Sequence, residues 1–84
     1  MSGNAKNERS LSEILKKDLS LSDYVKVEPI ILYLENNKSI TPRIAENITG
    51  KSAATVRRYL KMLVRTGYVK ADGNTSRIRY ILKM

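Results

Sequence analysis

The chain of 84 residues contains no cysteine, no histidine, no tryptophan and no phenylalanine. Without cysteine there is no disulfide, and without both cysteine and histidine the zinc-finger ligand sets and histidine-based catalysis are excluded. A chain of this kind is compatible with a reducing compartment. No apolar run approaches the roughly 20 residues of a membrane span. The opening stretch MSGNAKNERS has no apolar signal-peptide core. Asn47-Ile48-Thr49 and Asn74-Thr75-Ser76 match the glycosylation pattern by chance on this reading, since no secretion signal accompanies them. Acids are also scarce, eight against 16 lysines and arginines. Glu35, Glu46 and Asp72 fall on different expected elements with no nucleophile–base arrangement, so the sequence does not read as an enzyme. The length suits one small domain with one modest core.

What is present is cation, and it is concentrated. Residues 1–36 hold five cations against six acids, a net of −1, while residues 37–84 hold 11 cations against Glu46 and Asp72, a net of +9. A basic surface confined to one half attracts a polyanion at long range. A membrane surface would instead call for a basic amphipathic helix with exposed Trp, Phe or Leu. Here the apolar residues are needed for a core.

The basic half contains ITPRIAENITGKSAATVRRYLKMLVRTG, residues 40–67. Thr41 is an N-cap candidate and Pro42 occupies the first helical position, where its missing N–H costs nothing. Ile44, Ala45 and Ile48 follow at helical spacing. Gly50 can take the left-handed conformation that ends a helix. Ser52 caps a second helix running from Ala53 to about Thr66, stopped by Gly67. Val56, Leu60, Leu63 and Val64 form its core stripe. Ala54, Arg58, Lys61 and Arg65 point the other way, with Thr55, Arg57 and Met62 on the flanks. No acid lies between Lys51 and Lys70, so these cations lack local partners. Two helices joined by a short Gly-containing turn form a helix-turn-helix, whose second helix fits a DNA major groove.

Residues 1–10 read as a disordered arm, and 11–26 as an N-terminal helix and connector. The helix pattern, Ser10 to Leu21, has Leu11, Ile14, Leu15 and Leu19 with a Ser10–Glu13 capping box, and offers a packing or dimer surface. Ser22-Asp23-Tyr24 gives another start signal. Pro29 belongs in a first turn, which starts the regular helix near Glu28 and ends it at Asn36-Asn37. Ile30, Ile31 and Leu34 are its buried stripe. Ser39-Ile40 is a candidate sheet rung. Tyr68–Ala71 and Arg77–Leu82 read as two strands around an Asp72–Ser76 turn, a hairpin that must pack on the helices. Residues 27–84 thus form one domain. The five tyrosines read mainly as core-edge rings, with Tyr59 kept as a candidate edge contact.

The order helix, rung, helix, turn, helix, hairpin resembles the winged helix-turn-helix superfamily. The expected fold is α+β, mostly α, with a three-helix core, a two-stranded wing and an extra N-terminal helix. The stretch TVRRYLKMLVRTGYV is similar to the recognition helix and wing start of bacterial MarR and ArsR regulators. It also looks like winged-helix modules at the C-termini of Fic-family proteins and AlbA-type ATP-binding regulators. The resemblance implies double-stranded DNA as partner, transcription regulation as role and a cytoplasmic, nucleoid location. It admits a homodimer; the inducer pockets and metal-sensing ligands of some relatives have no counterpart here, so no cofactor and, without Cys or His, no metal is expected. By position, base reading falls to Ser52, Ala54, Thr55, Arg57, Arg58 and Lys61, and wing phosphate contacts to Arg77 and Asn74. On chemical grounds Lys51, Arg43, Lys61 and Arg65 suit phosphate, and Arg79 joins Arg77 on the wing. The competing reading is a protein-interaction or dimerisation module of a larger protein. With no enzyme or ligand domain in view, the chain reads as a fragment or a minimal regulator.

Overall fold

The computed structural model describes residues 11–74 and 77–83. The expectations placed on residues 1–10, including the Ser10 cap, and on Thr75, Ser76 and Met84 lie outside those residues. Four helices and three short strands follow one another: α1 (Leu11–Asp18), α2 (Leu21–Asn37), β1 (Ser39–Ile40), α3 (Pro42–Thr49), α4 (Ala53–Arg65), β2 (Val69–Asp72) and β3 (Arg79–Leu82). The strands form one antiparallel sheet in the order β1-β3-β2. This is a mostly helical α+β winged helix-turn-helix: β2 and β3 form the two-stranded hairpin expected of the wing, and β1 adds a third strand to it. That third strand is the rung at Ser39-Ile40, which pairs with Ile81 and Tyr80.

Both local caps of the helix-turn-helix form as their side chains dictate. The Thr41 hydroxyl accepts from the Ile44 N–H at 3.2 Å, and the Ser52 hydroxyl from the Thr55 N–H at 3.3 Å. Each satisfies one of the donors that a helix start leaves unpaired. Gly50 closes α3 with φ +71, and its N–H reaches the Glu46 carbonyl. A side chain would be strained in that conformation.

One cluster fills the interior. Val27, Ile30, Ile31 and Leu34 of α2, Val56, Leu60 and Leu63 of α4, Ile40, Ala45, Val69 and Tyr80 all bury within it, together with Leu11 and Leu15 of α1. The faces of α4 divide as its periodicity requires, with Val64 half-buried. In α3 only Ala45 is fully buried. Ile44 is half-buried, and Ile48, expected on the same stripe, is exposed. The helix meets the core at Ile44 and Ala45, and one turn further along the same stripe Ile48 is no longer covered.

The N-terminal helices differ from the expectation. The first ends at Asp18, and α2 begins at Leu21, capped by Ser20, whose hydroxyl accepts from the Asp23 N–H. Pro29 therefore sits inside α2 and not in its first turn. An interior proline costs about 3 kcal/mol. Five buried side chains on this helix, from Tyr24 to Leu34, each contribute about 1.5–3 kcal/mol by burial and outweigh it. The join to α1 is made at long range. The Glu35 carboxylate accepts from the Ser12 N–H at 3.0 Å, and the Lys16 ammonium stands 5.7 Å from the Tyr24 ring centre.

Candidate nucleic-acid interface

The exposed face of α4 is built by subtraction. Its core stripe turns inward, which leaves Arg57, Arg58, Lys61 and Arg65 exposed, with Ala54 beside them and Thr55 half-buried. At 13 residues and about 1.5 Å each, the helix is about 20 Å long. None of these cations joins an ion pair with a described residue. Ser52 and Thr55 are held in place, since Ser52 Oγ donates to Thr55 Oγ1 at 3.2 Å while capping the helix. Lys51 precedes them in the exposed turn, its N–H donating to the Thr49 hydroxyl at 3.2 Å.

The wing brings a second set of cations alongside. Gly73 turns the chain with φ +98 and lies so close beneath Arg77 that a Cβ there would stand 2.5 Å from the Arg77 carbonyl oxygen. Asn74 then fixes Arg77, whose N–H donates both to the Asn74 carbonyl and to its side-chain oxygen at 3.1 Å. Asn74, expected as a phosphate contact, also positions its neighbour Arg77. Asp72, expected as a turn former, belongs to β2. It opposes Arg79 in the ladder and pairs with its guanidinium at 3.7 Å.

Between α3, α4 and the wing lies an open groove of about 1140 Å³. It exceeds the roughly 300–1,000 Å³ of a small-molecule pocket. Arg43 enters it from α3, Arg57 and Lys61 from α4, and Arg77 and Arg79 from the wing side. Leu60, Ile78 and Tyr80 give it an apolar floor, and Glu46 is the acid in its wall. Lys51, Ser52, Ala54, Thr55, Arg58 and Arg65 lie outside the groove, along the turn and the outer face of α4. The candidate residues therefore divide between a groove and a ridge. Sequence patterning found the ridge. It did not reveal that Arg43, 34 positions before Arg77, faces the same groove, since only the tertiary packing joins them.

Tyr24 and Tyr80 are buried, and Tyr33, Tyr59 and Tyr68 are half-buried against the core. Among the described residues no helix is long and apolar enough to cross a membrane. No curated protein and no solved structure matches the chain. The match that is found is to neither the MarR nor the ArsR type, nor to the Fic or AlbA-type modules. Residues 42–73, which carry α3, the turn, α4 and β2, match the family described as the IclR helix-turn-helix domain.

Proposed function

We propose that the protein binds double-stranded DNA sequence-specifically and regulates transcription, in the compartment that holds the genome. The N-terminal half of α4 enters the major groove, about 12 Å wide. Arg58, Arg57 and Lys61, with Ser52, Ala54 and Thr55, face bases or the adjacent phosphates. Arg offers a bidentate fork to guanine or phosphate, and small Ala54 lets the backbone approach. Lys51 and Arg65 reach flanking phosphates. Arg43, Arg77 and Arg79 hold the strand that crosses between helix and wing. The observation that carries this reading is the groove that gathers five cations from α3, α4 and the wing region beside an exposed basic helix face.

The test is a titration with duplex DNA across ionic strength, read by NMR. Five neutralised phosphates correspond to a log–log salt slope of about −4.5, at roughly −0.9 each. Signals from 52–61 and from Arg77 shift on binding. A flat salt dependence, or unmoved signals in low salt, would remove the reading.

One observation favours a second role beside it. Leu21, Val25 and Leu32 are 77%, 58% and 47% exposed on α2, on nearly one line of the helix. That line lies in the half with a net charge of −1, where two copies approach without the repulsion of their basic halves. It supports a homodimer through α2, of the kind that would read a palindromic site. Sedimentation equilibrium decides it, since a monomer at millimolar concentration excludes this contact.

A further inference from the structure

The half of the chain that holds the groove has two acids against 11 cations, and both acids end beside that groove. Asp72 has an evident local task, because it opposes and pairs with Arg79 at the end of the β2–β3 ladder. Glu46 has none. It is half-buried on α3, one turn beyond Arg43, and shares the groove with Arg57 and Lys61. Its carboxylate makes no ion pair or hydrogen bond with any described residue.

The usual structural reasons for a helical glutamate do not apply to it. It is the fifth residue of α3, beyond the first turn, where a negative charge would favour the helix dipole. Its i+4 neighbour is Gly50, and Arg43, three residues before it, forms no ion pair with it. Only its backbone carbonyl has a task, accepting from the Gly50 N–H at 2.8 Å. The side-chain charge therefore acts inside the groove, on the field of its cations and on whatever enters it. A phosphate held there by Arg43 and Arg57 is repelled by the Glu46 carboxylate.

We propose that Glu46 sets the selectivity of the groove by restraining sequence-independent attachment to phosphate backbones. This rests on the duplex-binding reading above. Its repulsion applies to every sequence alike, so it lowers the affinity for arbitrary duplex until only sites with good base contacts along α4 are occupied. Two like unit charges about 7 Å apart in water weaken binding by roughly threefold, and by more where the groove excludes water.

The experiment uses the whole chain with Glu46→Gln, which removes the charge and keeps the shape, and Glu46→Lys, which reverses it. Each is titrated with a random-sequence duplex of about 20 base pairs and with the best site selected from a random pool by the wild type. Melting temperatures confirm that both variants fold. Glu46→Gln is expected to bind random duplex roughly three- to tenfold tighter, and Glu46→Lys tighter still. The selected site should gain less, so the ratio between the two duplexes narrows. Unchanged or weaker random-duplex binding in Glu46→Gln, with wild type binding normally, overturns this proposal alone. A loss confined to the selected site does the same and makes Glu46 a base-contacting acceptor. Absence of any duplex binding by the wild type removes the underlying reading and this one with it.

Discussion

Helices α2 and α4 both lay an aliphatic stripe into the same core, yet their outer faces are opposites. The outer face of α2 mixes Asp23, Lys26 and Glu28 with exposed Leu21, Val25 and Leu32, and Asp23 lies 4.0 Å from Lys26. The outer face of α4 has no acid and no exposed large apolar side chain, only cations and small residues. Core packing alone does not demand this difference, because both helices solve the burial problem in the same way. A helix that only needs solubility mixes charge signs and gains local pairs. The uniform sign on α4 leaves its charge available to an outside anion.

The comparison breaks most readily on the buried side. Leu60→Ala is expected to cost about 2–5 kcal/mol and Ile31→Ala a similar amount, since both side chains are fully enclosed. Urea unfolding would measure both, and unequal roles for the two helices in the core would appear as a large gap between them. On the outer faces the effects separate. Arg58→Ala should weaken the preferred duplex by about 1–3 kcal/mol and relax sequence preference, with no change in unfolding midpoint. Lys51→Ala should weaken all sequences alike. A silent Arg58→Ala in an anisotropy titration would take that residue out of the interface.

Legibility followed the range of the interaction. Thr41, Gly50 and Ser52 could be read from the sequence because a cap is made by residues three or four apart. The core stripe of α4 was equally plain, since its period is set by the helix itself. Pro29 misled, because a local rule about proline met five buried neighbours whose combined burial overrode it. Ile48 misled for the opposite reason, since periodicity gives a direction but not whether anything stands there to meet it. The Glu35–Ser12 bond spans 23 positions and the groove joins Arg43 to Arg77, and no local pattern encodes either.

Two smaller effects sharpen the contrast. Glu35→Ala removes the acceptor for the Ser12 N–H and should cost about 1–3 kcal/mol, with hydrogen exchange rising in 11–18 and staying unchanged in α4. Equal exchange in both segments would mean that α1 does not depend on this bond. Leu32→Lys, by contrast, changes a side chain exposed in the monomer and should shift stability by less than about 0.5 kcal/mol in dilute solution. At concentrations where the α2 homodimer forms, the same change should lower the melting temperature further, and a loss that does not depend on concentration would break the dimer reading.

The shared core has a practical corollary for anyone trimming the protein. The segment 42–73 that carries the family likeness omits α2 and β3. It therefore lacks Ile30, Ile31, Leu34 and Tyr80, against which its own Val56, Leu60 and Leu63 are sealed. A peptide cut to those limits would present an oily flank to water and clump. The smallest piece worth expressing is set by where the greasy partners reside, not by where the recognisable signature stops.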